Sequence, residues 1–373
     1  MSNPRSSAAQ DCPDCSHPRS SLLPTRRDVL WRAAGLAATA AAASSGLLGR
    51  IARAADASGA AAGALATAPA SETLVAQLYG SLTEEQRKLV CFGFDDPLRS
   101  KVDNNWFIVK QRIGKLFDKD QQALIRDIFL DLHSEEYAKR VFDQVEHDNI
   151  EDGGFSSCAV ALFGEPDKNS PQANLGTPEH PPASKFEFVL TGRHVTRRCD
   201  GNSVAGAAFG GPIFYGHAAE GFHESAQHKG NAYWFQALRA NEVFQALDGK
   251  QREIALRDDP RKEQGAKTVA LPNDKSGLTG LAAGDLSHDQ KDLVRKVLGD
   301  LLAPFRKADA DEALKLIEDG GFDDLHMAFY KNMDIGNDGV WDVWQIQGPS
   351  MIWYFRGAPH VHTWVHVREP EKA

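Results

Sequence analysis

The stretch with the most chemistry per residue lies near the C-terminus. "PHVHTWVH", residues 359–366, carries His360, His362 and His366. In an extended strand successive side chains alternate, so residues 360, 362, 364 and 366 share one face. The roots of His360 and His362 are then about 7 Å apart, at about 3.3 Å per residue. Two imidazoles can converge from that spacing on one ion at about 2.0–2.1 Å. His366 lies further along, beyond Trp364, and is not expected to join them. The expected ligand pair is therefore His-x-His, and a site needs a third group. His194, in "LTGRHVTRR", is expected on a strand, where polar residues interrupt an apolar run. His217 follows "FGGPIFYGH", whose glycines permit close backbone approach. His194, His217, His360 and His362 make up the candidate ligand set. Imidazoles without thiolates suit Cu, Zn or Fe.

Other patterns fail on spacing. "HESAQH" sets His223 and His228 five apart, about 140° off one another on a helix of 3.6 residues per turn. A zinc-protease helix needs them four apart. "DIGNDGVWDVWQ", residues 334–345, has Asp334, Asp338, Gly339 and Asp342 of a calcium loop, but Gly336 at its third position. Its twelfth is Gln345, where a bidentate carboxylate is required. Asn337-Asp338-Gly339 reads better as a hairpin turn. GxSxG, P-loop and dinucleotide fingerprints are absent.

Two β-rich regions must hold the histidines. "KFEFVLTGRHVTRRCDGNSV" alternates Phe186, Phe188 and Leu190 on one face and reads as a central hairpin. "VWDVWQIQG", "SMIWYFRG" and "HVHTWVHV" are short strands parted by Gly-Pro and Gly-Ala-Pro, as in an antiparallel meander. Helices announce themselves by one device: Thr83, Asp118, Asp248 and Ser287 each precede a Gln by three residues. That spacing makes a capping box. Apolar residues at helical spacing follow each. Helical blocks beside strand blocks, without steady βαβ alternation, predict an α+β fold: an antiparallel sheet packed with amphipathic helices. Residues 164–184, rich in Pro, Gly and Asn, read as a long loop near a site.

The first 54 residues stand apart. Arg26 and Arg27 form a twin-arginine pair, Val29 and Leu30 follow, and Ala33 to Leu48 is an alanine-rich, weakly apolar run. That run falls short of the roughly 20 apolar residues a membrane span needs. Ala52-Arg53-Ala54 offers a small-x-small cleavage site. The whole resembles a twin-arginine export signal, which implies the twin-arginine export machinery as a partner, a folded cargo and a periplasmic or secreted mature chain beginning near Ala55. Residues 55–70 read as a flexible lead-in and 71–370 as a single α+β domain. The leader holds seven Arg and three Asp, so the remaining chain carries 35 basic and 48 acidic side chains, a formal charge of −13. An acidic protein gains nothing from phosphate backbones, so nucleic acid and acidic membrane surfaces are not expected partners. Cys12 and Cys15 stand alone as a CxxC in the leader. Cys91, Cys158 and Cys199 remain, and an oxidising compartment permits one disulfide. The pairing stays open, with Cys158–Cys199 favoured because Cys91 falls in an apolar helical run.

Five segments together resemble the bacterial family known as domain of unknown function 3500: "NNWFIVKQRIGKLFDKDQQALIRDIF", "LTGRHVTRRCDGNSVAGAAFGGPIFYGH", "NEVFQALDGKQREIAL", "DLSHDQKDLVRKVLGDLLAPF" and "IQGPSMIWYFRGAPHVHTWVHV". The likeness spans about residues 75–367. It implies an exported protein whose motif blocks include the positions of His194, His217, His360 and His362, and it lends no established activity. Where the family pattern implies an acidic residue before Gly348-Pro349, Gln347 stands, so no carboxylate ligand is drawn from it. Two functions of different class follow: a histidine-ligated metal-dependent enzyme, or a non-catalytic exported binding protein whose histidines and Trp341, Trp344, Trp353 and Trp364 line a groove.

Overall fold

The central hairpin and the C-terminal meander meet in one sheet of eleven strands. The computed structural model describes residues 70–177, 180–217, 232–272, 275–332, 334 and 339–370. The export signal, nearly all of the lead-in, the His223–His228 stretch and the Asn337–Asp338 turn lie outside them. The strands are β1 (Cys91–Phe92), β2 (Ala159–Gly164), β3 (Phe186–Gly192), β4 (Val195–Cys199), β5 (Ile213–Gly216), β6 (Leu256–Arg257), β7 (Leu281–Ala282), β8 (His326–Tyr330), β9 (Val343–Gly348), β10 (Met351–Arg356) and β11 (His362–Val367). Their spatial order is β1-β2-β3-β4-β5-β11-β10-β9-β8-β6, with β7 on β8. Pairing is antiparallel except at the two edges, where β1 runs parallel to β2 and β6 to β8. The α-helices among the described residues are α1 (Ser71–Ser81), α2 (Glu84–Val90), α3 (Ile113–Leu116), α4 (Lys119–Asp131), α5 (Glu135–Asp148), α6 (Trp234–Ala246), α7 (Gly249–Ala255), α8 (His288–Leu302) and α9 (Lys307–Asp319). No helix is long and apolar enough to cross a membrane among the described residues.

All four capping boxes form: Thr83, Asp118, Asp248 and Ser287 each accept from the N3 amide while the N3 glutamine accepts from the cap amide. The glutamines do more than cap. Gln86 bonds Gln121 at 2.8 Å, and Gln251 bonds Gln290 at 3.1 Å, so the helix starts are tied in two pairs.

Those two pairs belong to a duplication. The sheet order reads the same from either edge, and the central partners are β5 and β11. In each half a short helix (α2, α7) runs into an edge strand (β1, β6), two longer helices follow (α4 and α5, α8 and α9), and four strands complete the half. "IEDGGF" occurs twice, at 150–155 and 317–322, each time just before the strand beside the edge. Asp-Asp-Pro also recurs, at 95–97 and 258–260, just after each edge strand. Backbone bonds repeat too. The Gly216 amide donates to the His194 carbonyl at 3.2 Å, and the Arg368 amide donates to the Ser350 carbonyl at 2.9 Å, at matching corners of the two halves.

Alternation gives the sheet two unlike faces. Phe186, Phe188, Leu190, Tyr215, Trp353 and Phe355 face the helices and join one large core with Ile128, Phe129, Val297 and Ile317. Phe214, Tyr330, Ile352, Tyr354 and Trp364 face the other way, where no long helix of the described residues packs; Val102 and Val269, from irregular segments around residues 93–112 and 258–272, cover them. Trp106 and Ile108 cover Ala161, Phe163 and Val189 likewise. Irregular cover leaves room for polar groups, and the buried charges of this face stand there. The loop of residues 164–184 joins the Gly164–Phe186 end of β2 and β3, far from the Gly192 end that leads to His194. It is therefore not next to the candidate ligands.

Candidate metal centre

His194 is not on a strand. It sits in the turn from β3 to β4 with φ 55°, a left-handed conformation that costs an L-residue roughly 1–2 kcal/mol. Its amide donates to the Asn104 carbonyl at 3.2 Å, and its carbonyl accepts from Gly216. Gly216 in turn pairs with His362. His194, Gly216 and His362 thus form one row across neighbouring strands, with the glycine in the middle. Strand spacing of about 4.8 Å puts the two histidine roots about 10 Å apart, and the missing side chain between them leaves space for both rings. A Cβ on Gly216 would lie 2.1 Å from the Val361 carbonyl oxygen, so alanine does not fit there. His360 lies in the bend before β11 and not on the strand, after Pro359, which has no N–H to continue the ladder.

The three rings converge. Their centroids are 4.8 Å (His194–His360), 5.0 Å (His194–His362) and 4.7 Å (His360–His362) apart. Nε2 of His360 is 2.9 Å from Nε2 of His362. One nitrogen of each ring lies within 4.8 Å of the others. Donors that share a tetrahedral ion at 2.0–2.1 Å stand about 3.4 Å apart, so the widest pair would close by about 1.4 Å when an ion is held. All three side chains are buried, and Phe214 lies 5.2 Å from the His362 ring.

Two carboxylates stand behind the rings. Glu263 Oε2 is 2.9 Å from Nδ1 of His362, and Asp148 Oδ2 is 3.4 Å from Nδ1 of His194. Burial pushes the Glu263 carboxyl up, but Arg356, His362 and Trp364 outweigh it and hold it down at about 2. Arg356 Nε lies 3.4 Å from its other oxygen. An ionised carboxylate only accepts, so Nδ1 of His362 carries the proton and Nε2 presents a lone pair. That lone pair points at His360. Carboxylate–imidazole pairs of this kind orient ligating histidines and fix their tautomer, so the donor set fits a transition metal.

His217 is not brought to the group. Its amide continues the ladder to the Val361 carbonyl at 3.1 Å, so by alternation it shares the helix-side face with Tyr215, opposite His362. His366 stays apart, as expected, with Nδ1 3.0 Å from the Val269 carbonyl. Trp344, Trp353 and Trp364 are buried, and Trp341 packs on the core. Cys91, Cys158 and Cys199 are free thiols. Cys158 and Cys199 lie two strands apart and at opposite ends of β3, with Cys158 against Gly192 and Cys199 paired to Phe188, so no bridge can form. Glu263 and Asp148 carried no motif. Only the recurrence of Asp-Asp-Pro marked the segment that delivers Glu263.

The chain belongs to the family described as Protein of unknown function (DUF3500), whose sequence model matches residues 66–372. No curated protein and no solved structure matches it.

Proposed function

We propose that this chain is an exported protein in which His194, His360 and His362 hold one transition-metal ion, Zn, Cu or Fe, and that it is a metal-dependent enzyme of the periplasm. The observation that carries the reading is the convergence of three buried imidazoles, two of them backed by carboxylates. Three protein ligands leave a coordination position open, as in catalytic rather than structural sites. An ion so held acts as a Lewis acid or activates a bound small molecule. The chain's own contribution is positional: Gly216 clears the space, Glu263 orients the His362 ring, Asp148 stands 3.4 Å from Nδ1 of His194, and Arg356 keeps Glu263 charged. Elemental analysis of protein recovered from its natural compartment tests the reading. About one Zn, Cu or Fe per chain is expected, and metal-free protein that also takes up none of the three would end it.

Two further outcomes follow. Glu263→Ala is expected to weaken metal affinity by about 10–100-fold, the usual consequence of losing a carboxylate behind a ligating imidazole. Glu263→Gln keeps an acceptor for Nδ1 and should weaken it less. Competition with a chromophoric chelator measures both, and equal affinity of wild type and the alanine variant would deny Glu263 this role. Export is checked separately. Arg26→Lys with Arg27→Lys is expected to leave unprocessed precursor in the cytoplasm, because the pair is the transport signal. Normal export of the double variant, or a mature N-terminus well before Ala52, would contradict it.

A further inference from the structure

A cavity of about 410 Å³ opens on the face of the sheet that irregular segments cover. Its floor is Tyr330 of β8, Gln345 and Gln347 of β9 and Ile352 of β10. None of the three ligating histidines lines it. Alternation puts Val343, Gln345 and Gln347 on one face, where Val343 joins the apolar cluster. The two glutamines are as deeply placed, at 2 % and 6 % exposed. Buried amides are costly unless each group is bonded, and here each amide is bonded on one side only. Arg261 Nε donates to Oε1 of Gln345 at 2.8 Å. A guanidinium only donates, so the amide orientation is fixed and Nε2 of Gln345 turns away from Arg261. Among the described residues nothing accepts from that nitrogen. Nε2 of Gln347 donates to the Thr279 carbonyl at 3.4 Å, which leaves its Oε1 as an acceptor. The hydroxyl of Tyr330, a residue 2 % exposed, is unbonded as well. None of these three groups is sealed off from solvent, unlike the hydroxyl of Tyr354 nearby.

Charge does not decide what fits. Each nitrogen of the Arg261 guanidinium already donates, to Gln345 and to the carbonyls of Lys262 and Thr268, and the group lies over the Tyr354 ring at 4.7 Å. Asp259, Lys262 and Lys267 stand at the exposed rim, where salt and water screen them. The deep part therefore offers neutral groups: an N–H that donates, a C=O that accepts and an O–H that does both. The roots of Gln345 and Gln347 are about 7 Å apart, two residues along one strand. An anion only accepts, so it would face the lone pairs of Gln347 Oε1 unpaired. An apolar molecule would bury all three groups without bonds, at about 1–3 kcal/mol each. A hydroxyl both donates and accepts, so a ring bearing several of them satisfies the whole set.

We infer that this cavity is a saccharide site: neighbouring hydroxyls of a neutral mono- or disaccharide accept from Nε2 of Gln345, donate to Oε1 of Gln347 and bond the Tyr330 hydroxyl. The volume lies within the range of about 300–1,000 Å³ typical of small-molecule sites. The segment of residues 259–264 walls the cavity with Arg261 and presents Glu263 to His362, so the saccharide lies beside the metal centre. The site uses none of the ligating histidines and does not depend on the metal reading.

The test titrates the protein with glucose, galactose, mannose, xylose, cellobiose and maltose, followed by saturation-transfer NMR. Cyclohexanol serves as a ring with a single hydroxyl, and inorganic phosphate as the anion. At least one saccharide is expected to bind, at least about tenfold more tightly than cyclohexanol, which forgoes most of the hydrogen bonds. Tyr330→Phe removes the hydroxyl and Gln347→Leu the acceptor, and each should weaken that saccharide about three- to tenfold. A folding failure of one variant leaves the other to decide. His360→Ala should bind the saccharide as wild type does, which separates this site from chelation of a sugar at the metal. No binding by any of the saccharides, binding of phosphate in their place, indifference to both Tyr330→Phe and Gln347→Leu, or loss of binding in His360→Ala would overturn the inference.

Discussion

Replacing His360, His362 or His194 by alanine is expected to remove the metal, while His366→Ala and His217→Ala keep it. The imidazoles of the first three lie within reach of a single ion, and each supplies one of the three donors that the described residues bring together. Losing a ligand must weaken binding by more than the about 10–100-fold that follows loss of an orienting neighbour. After dialysis against a moderate chelator the three variants should retain less than about a tenth of the wild-type metal. Stability reports the same event independently. An ion present at about 1,000 times its dissociation constant stabilises the native state by about 4 kcal/mol, so metal should raise the unfolding temperature of wild type and not of the three variants. The controls decide the geometry. His366 shares the strand and the face of His362 but is bonded to Val269, and His217 lies on the opposite face. Metal loss from His366→Ala as complete as from His360→Ala would mean that the ligand set is wrong.

Which parts of this were legible in the chain can be stated residue by residue. The capping boxes at Thr83, Asp118, Asp248 and Ser287 depend on local spacing, and all four formed. The hairpin and the meander depend on alternation and turn residues, and both were found. His-x-His was legible because two histidines two apart on an extended chain must face alike, which survives even though the strand begins only at His362. The side of the sheet taken by His217 was not, because it depends on the pairing of β5 with β11, which are far apart in sequence. Glu263 and Asp148 come from an irregular segment and a helix end, where no period marks a residue that will reach a site. The duplication could have been found. "IEDGGF" and Asp-Asp-Pro each occur twice, but the spacing between equivalent positions changes along the chain and conceals the period. With it, the symmetric sheet order, and so the neighbourhood of His362, would have been within reach of the sequence.

Glu187→Ala is expected to lower the free energy of unfolding by about 3–5 kcal/mol, the usual result of removing one partner from a buried ion pair. Glu187 is fully buried on β3 and receives Nη1 of Arg99 at 2.9 Å and Nη1 of Arg198 at 2.5 Å. Arg198 is almost as deeply buried, and its other donors are committed to the carbonyls of Pro212, Arg99 and Lys101, so it cannot swing to water when the carboxylate goes. Two guanidiniums would then share one corner of the fold without an anion between them. Glu187→Gln should fall between wild type and alanine, because the amide oxygen can still accept from one arginine. Replacing all three together, Arg99→Met, Glu187→Leu and Arg198→Met, should be milder than Glu187→Ala alone, since it removes the charges that need compensation as well as the group that supplies it. Urea unfolding of the four proteins orders them, and an alanine variant within about 1 kcal/mol of wild type, the range of an exposed pair, would show that water reaches this corner. Formate adds a second reading: it is a carboxylate small enough to occupy the space left in Glu187→Ala, so it should restore part of the lost stability to that variant and little to the triple replacement, which has no cations left for it to bind.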